Sequence, residues 1–222
     1  MPAQTTLDAA MRQRVMVMPG KINKVDLREI WPNEASDFTP WLADNLEMLG
    51  AELGMHLELV EHDAAVGECR LDILAKDTAT GQAVVIENQY GETDHDHFGK
   101  LLTYAAGYNG SVIIWIAESI CEEHRQALDW LNQNTDSCID IFGVVIEVLR
   151  INESKEAPQF KFVVTPQGWQ KDPEIRKNQY YFRRIIDELN KKPIFANLKQ
   201  AQIKKQTVSF HPKCPAFNSG LI

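Results

Sequence analysis

The chain has 222 residues, is 44% hydrophobic and 24% charged, and carries a net charge of −8; this is an ordinary globular composition and excludes fibrous and low-complexity classes. Four scattered cysteines (Cys69, Cys121, Cys138 and Cys214) form no Cys-x-x-Cys pair, which argues against a zinc site or a disulfide framework and fits a reducing compartment. Met1 to Gly20 lack the apolar core of a signal peptide and no later run is long enough to span a bilayer, so a cytoplasmic protein with no membrane partner is expected.

In chain order, residues 1–30 show no clear period, and Val25 to Ile30 read as a short strand or turn. Asp37-Phe38-Thr39-Pro40 is a helix start, with Thr39 as N-cap and Pro40 at the first helical position. The helix is expected to run to about Gly54, with Leu42, Leu46, Leu49 and Leu53 as its core stripe. Glu47 falls on the opposite, solvated face, whereas Asn45, Glu52 and the upstream Glu34 are in reach of a neighbouring cleft. Leu57 to Glu61 alternates apolar and charged residues, as a half-buried strand does.

Arg70 to Gln89 is the most informative stretch. Two short apolar runs flank a turn at Thr80-Gly81, so it reads as a β-hairpin. Val84-Val85-Ile86 is a continuous apolar run, the mark of a strand covered on both faces, and it ends in Glu87. Strand alternation points Glu87 and Gln89 one way and Asn88 the other, and hairpin pairing brings Asp72 beside them. A carboxylate ending such a run is costly unless it is paired or metal-bound. Two carboxylates converging at a hairpin end suit Mg²⁺ (or Mn²⁺), which prefers oxygen ligands.

Thr93 reads as the N-cap of a second helix that ends at Gly107. His97, Lys100 and Tyr104, spaced three and four apart, share a polar stripe on it. His95 and His97 point to different faces, which with no nearby cysteine sets aside a transition-metal site. Ser111 to Ala117 is a buried strand and Glu122 to Asn134 a helix. Ile139 to Ile151 is a strand broken or bent near Gly143, and Phe160 to Thr165 is one more strand. Asn178 to Lys192 is an amphipathic helix, followed by a basic stretch from Phe195 to Gln206.

The order helix, strand, hairpin, helix, strand, with Asp72-Ile73-Leu74 on one hairpin strand and Val85-Ile86-Glu87-Asn88-Gln89 on the next, resembles the PD-(D/E)XK, or restriction-endonuclease-like, nuclease superfamily. Together with Asp37-Phe38-Thr39-Pro40-Trp41-Leu42, Thr93-Asp94-His95-Asp96-His97, Leu102-Thr103-Tyr104-Ala105-Ala106-Gly107, Glu123-His124-Arg125 and Trp130-Leu131-Asn132, it is similar to an uncharacterised bacterial family. That family has a nuclease-like N-terminal half and a C-terminal domain of unknown function. The resemblance implies an αβββαβ sandwich around a mixed sheet (α/β class) over residues 1–170. Residues 171–222 then form a partly helical extension, a truncated second domain.

Asp72 and Glu87 would be the metal-binding carboxylates, with Glu34, preferred over Glu52, as the upstream acid. Gln89 stands where the superfamily has its catalytic lysine, a departure because a neutral amide brings no charge to the phosphate. Lys100 and Tyr104 fall where many members carry a Gln-x-x-x-Tyr pair, and Lys100 would return the missing charge. The implied chemistry is metal-dependent phosphodiester hydrolysis of DNA, an endonuclease, with His95, His97 and Tyr104 near the phosphate. The alternative is a catalytically inactive nucleic-acid-binding or interaction module that keeps the fold. Residues 1–170 hold 12 Lys/Arg against 27 Asp/Glu, and residues 171–222 hold 11 against 4, so the halves carry −15 and +7. A basic tail on an acidic body suits nucleic-acid contact, with Arg183 and Arg184 among its phosphate ligands. Pairing as a homodimer to cut both strands is left open.

Overall fold

The computed structural model describes residues 19–191 apart from Glu68 and Ser137. The readings made on residues 1–18, on Cys214 and on the basic stretch Phe195 to Gln206 lie outside the described residues.

The chain enters on β1 (Ile22–Val25) and the single-turn helix α1 (Leu27–Ile30), where the Asp26 carboxylate accepts the Arg28 N–H. The helix expected from Thr39 to Gly54 is two pieces, α2 (Thr39–Asp44) and α3 (Leu46–Leu53), and a π-helical turn at Glu34–Phe38 runs directly into the first. Pro40 lies in the first turn of α2, where a missing N–H costs nothing. Thr39 is not an N-cap, because winding has already begun at Glu34; its hydroxyl instead accepts from Asn88 Nδ2 at 3.0 Å. Asn45 interrupts the path at φ −120° and donates through Nδ2 to the Trp41 carbonyl. The four leucines of the predicted stripe are all buried, and Glu47 is exposed, as their spacing requires.

Three antiparallel strands follow: β2 (Leu57–Val66), β3 (Cys69–Asp77) and β4 (Ala83–Glu92). Gly81 turns the hairpin at φ +77°, and the buried Asp77 carboxylate ties the loop by accepting from Ala79 N–H, Thr80 Oγ1 and His56 N–H. Helix α4 (His95–Gly107) carries the chain to β5 (Val112–Ser119), and α5 (Glu122–Asn134) to β6 (Asp140–Ile151). Both strands run parallel to their predecessor, as crossover through a helix requires. Strand β7 (Ala157–Val164) turns back against β6, and α6 (Pro173–Asn190) follows, starting five residues before the expected Asn178.

The seven strands lie in the order β1-β6-β5-β4-β3-β2, with β7 also paired to β6. The fold is an α/β sandwich around a mixed sheet, and the expected αβββαβ succession is present as α3-β2-β3-β4-α4-β5. One face buries Phe38, Leu42, Leu49 and Leu53 against Ile73, Val84, Ile86 and Ile114. The other buries Leu101, Tyr104 and Leu128 against Val85, Ile113 and Trp115. With helices on both faces, β5 is apolar from Val112 to Ala117, and these six residues are all buried. The expected break near Gly143 is instead a shift of β7 register against a continuous β6. A side chain there would meet Ile120, Val164 and Leu128 at 3.0–3.2 Å.

Two compact units divide between Tyr180 and Tyr181, within α6. In the first, Arg176 is buried 3.3 Å from Asp140, with its guanidinium over the Phe142 ring, and this fixes the start of α6. In the second, the remaining turns of α6 expose Tyr181, Phe182 and Ile185 and carry Arg183 and Arg184.

Two glycines separate backbone strain from steric clash. Gly54 ends α3 at φ +69°, and a Cβ there would lie 2.1 Å from the Lys171 carbonyl oxygen; Gly81, at φ +77°, has open space around it. Gly81→Ala is expected to cost about 1–2 kcal/mol, the left-handed penalty alone. Gly54→Ala is expected to cost clearly more than that ~2 kcal/mol ceiling. Urea unfolding of the two variants checks the order.

Candidate active site

The β3–β4 ladder pairs Ile73 with Ile86 and goes no further. One step on, Asp72 stands opposite Glu87, and alternation puts both side chains on the α4 face of the sheet. There β3 parts from β4, and the Asp72 carboxylate supplies an acceptor where the backbone no longer does: Asn88 N–H donates to Asp72 Oδ2 at 2.8 Å. Glu87 is held on β4 between β3 and β5, only 4% exposed, and its Oε2 is buried with no hydrogen-bond partner.

Burial and mutual repulsion both oppose ionisation. Glu87 is pushed up to about 9, first by desolvation and then by the Asp72 charge. Asp72 is pushed up to about 6, chiefly by desolvation, with the Asn88 N–H pulling the other way and Glu34 adding to the rise. A pair of this kind holds a proton at neutral pH unless a cation enters. Hard carboxylate oxygens, one of them buried and unpartnered, are the donor type that Mg²⁺ or Mn²⁺ takes, so the residues fit such an ion.

The remaining expected residues are placed unevenly. Glu34 acts electrostatically on both acids, but its carboxylate accepts the Tyr90 N–H. Among the described residues no His, Cys, Asp or Glu forms a set with both acids whose ligand atoms all lie within 4.8 Å. Glu52 is drawn off by Lys171 Nζ at 2.6 Å. Gln89 lies on the same face as Glu87, as alternation predicts, but its amide is committed: Oε1 accepts from Trp115 Nε1 at 3.0 Å, and Nε2 donates to the Glu92 carbonyl and to Asp94 Oδ2.

Lys100 Nζ sits 2.7 Å from Asp96 Oδ2, and its charge reaches both Glu87 and Asp72. Tyr104 is 1% exposed and its hydroxyl donates to the Arg70 carbonyl at 2.6 Å. It therefore braces β3 against α4 and has no surface to offer a nucleic acid, a correction to the reading of that stripe. His95 and His97 do point apart: His95 Nδ1 meets His124 Nε2 at 2.8 Å, whereas His97 turns to Asp94 and lowers the pKa of Asp72. Arg183 and Arg184 belong to the second unit.

Three contributors escape the sequence reading. The N-cap of α4 is Asp94, not Thr93; its carboxylate accepts the His97 N–H at 2.8 Å, which holds it down at about 2. The Asp-x-x-His spacing was the available signal, but Thr93 precedes it and is an equally good cap type. The Thr93 hydroxyl instead meets His124 Nδ1 at 2.8 Å. His124 is buried beneath Trp115 and Phe98, with burial lowering its pKa. Trp115 reads only as core in a strand of that composition.

Fold and site together define an α/β sandwich with two acids at the end of its central hairpin. Solved structures similar to the chain include a repair endonuclease from Pyrococcus abyssi, at 16% identity over 44% of this chain and 43% of that one, with a TM-score of 0.37. An EndoMS–dsDNA complex matches at 16% identity over 49% and 44%, with a TM-score of 0.35. SfsA from Pyrococcus furiosus, in complex with Ca²⁺, matches at 14% over 56% and 59%, with a TM-score of 0.29. The chain spans less than half the length of the first two. No family model and no curated protein matches the sequence. Among the described residues no helix is long and apolar enough to cross a membrane.

The raised acids fix a direction for stability against pH. In the unfolded chain Glu87 loses its proton near 4.5 and Asp72 near 3.8; folded, they keep them to about 9 and about 6. Folding therefore takes up protons between those limits, and stability present below pH 4 drains as pH rises toward 9. The depressed Asp94 acts at lower pH and is fully ionised across this window. Glu87→Gln is expected to flatten the decline and to raise stability at pH 8 by about 1–3 kcal/mol. Urea titrations from pH 5 to 9 without divalent cations measure it.

Proposed function

We propose that the chain is a metal-dependent nuclease-like protein that acts on DNA by phosphodiester hydrolysis. The observation that carries this reading is the buried, unpartnered Glu87 Oε2 opposite Asp72, two carboxylates kept close where neither gains from the other. Asp72 and Glu87 would hold Mg²⁺ or Mn²⁺, with Glu34 behind them. The ion, when bound, would supply Lewis acidity to the phosphate and a more acidic water. The Asn88 N–H fixes Asp72, and the walls of β4 and β5 exclude bulk water from Glu87. Lys100 would bring positive charge toward the phosphate by exchanging Asp96 for it, an exposed i,i+4 contact that costs little to break. Arg183 and Arg184 would contact the DNA backbone. A cytoplasmic location and action as a homodimer complete the reading.

A second reading, a nucleic-acid-binding or interaction module without activity, is favoured by one observation. Gln89 occupies the lysine position with every polar atom of its side chain already engaged.

Supercoiled plasmid and single-stranded DNA separate the two. Mg²⁺- or Mn²⁺-dependent nicking is expected from the wild type, falling at least about 100-fold in Asp72→Ala and in Glu87→Ala. DNA binding without nicking would leave the second reading standing, and activity surviving Asp72→Ala would indicate a contaminant. Replacing both Arg183 and Arg184 by Ala is expected to weaken binding uniformly across sequences and to reduce the slope of log K against log salt by about 1–2. A slope that does not move removes them from the interface.

A further inference from the structure

Where the superfamily pattern has a lysine, this chain has a line of hydrogen bonds. Trp115 Nε1 donates to Gln89 Oε1, Gln89 Nε2 donates to Asp94 Oδ2, and Asp94 receives His97 twice. The His97 backbone N–H lies 2.8 Å from Asp94 Oδ1, and ring Nδ1 lies 3.0 Å from both carboxylate oxygens. A carboxylate can only accept, so in the neutral ring this contact places the proton on Nδ1 and leaves Nε2 as a lone-pair acceptor. His97 Nε2 has no hydrogen-bond partner among the described residues, and the side chain is 25% exposed. Its neighbours at the start of α4 are engaged differently, His95 with His124 and Lys100 with Asp96.

We propose that His97 is the proton acceptor of the candidate site, and that Asp94, steadied by Gln89, is the positioning residue that orients it. This rests on the nuclease reading and gives the glutamine in the lysine position a role, since it holds the base's partner instead of supplying charge itself. In the step, Nε2 takes a proton from water while the water oxygen forms a bond to phosphorus. The phosphorus–oxygen ester bond breaks, and the departing alkoxide takes a proton from solvent water. The hydroxide so formed recovers the proton from His97, so that one water is consumed per diester and no electrons are transferred. The ring meets the charge of Asp94 at the cap and, through space, that of Asp72 from β3; Lys100 on the same helix and Glu34 from the turn before α2 act on that Asp72, which in turn acts on Glu87 from β4.

Two measurements test this. Nitrogen-detected NMR of ¹⁵N-histidine-labelled protein reads the tautomer directly, without activity. His97 is expected as Nδ1–H in the wild type and mainly as Nε2–H in Asp94→Ser, which keeps a helix cap but removes the second acceptor. Nε2–H in the wild type would overturn the orientation by Asp94. In plasmid nicking, His97→Gln is expected to lower kcat about 100-fold or more with KM little changed. Asp94→Ser is expected to follow it in direction with a smaller loss. A His97→Gln variant that keeps its rate, while Asp72→Ala loses activity, overturns the base assignment and leaves the metal reading intact. A wild type with no metal-dependent nicking overturns both.

Discussion

One hydrogen bond organises the candidate site. At Ile73 the first hairpin strand leaves its partner, and a ladder that stops in the middle of a sheet strands an amide on the remaining strand. Asp72 resolves this with its side chain, taking the Asn88 N–H that backbone would have taken. The consequence is that its carboxylate is fixed beside Glu87, which β5 on the other flank keeps from solvent. A polar need of the main chain thus holds two acids together against their own electrostatics. Everything that distinguishes this end of the sheet from ordinary core, including the orphaned Glu87 oxygen, follows from that departure of β3.

How much of this was legible in the sequence depends on whether the signal is local. The hairpin, its turn at Thr80-Gly81, the leucine stripe at 42, 46, 49 and 53, and the helix and buried strand that follow the hairpin all come from period and turn chemistry, and the structure has them. The side on which Glu87 and Gln89 lie follows from alternation alone. What failed depended on partners distant in sequence. Thr39 has the residue type of a cap, but Asn88, 49 positions away, claims its hydroxyl. Thr93 has it too, but His124 and Cys121 claim that one. Tyr104 sits on a helical stripe with His97 and Lys100, and only the arrival of β3 beneath it decides that the ring is core. Glu34 looks like a third acid until the turn around it presents the Tyr90 N–H.

Gln89 illustrates the same point at the level of chemistry. Read in isolation, an amide in place of a lysine is a loss of charge. In the folded chain it is the joint between a buried indole on β5 and the cap of α4. The cap in turn fixes the first turn of the helix whose histidine and lysine face the acids. The candidate site at this end of the molecule is distributed over three elements that meet only after the sheet has formed.

The topology also sets an order of events during synthesis. Strand β1 is made before the other described strands, but among the described residues it pairs only with the far end of β6, where Ile22 meets Ile151. At roughly 5–20 residues per second on the ribosome, the nascent N-terminal strand waits on the order of ten seconds for a place in the sheet. Over the same interval the hairpin, α4 and β5 emerge in succession and can pair as they appear. The acid-bearing end of the protein is therefore assembled early from sequential pieces, and the opposite border waits for β6 before β1 and then β7 can join it. A translation pause or chaperone that acts before residue 151 would meet a protein whose central strands are paired but whose first strand is still an open, unpaired edge.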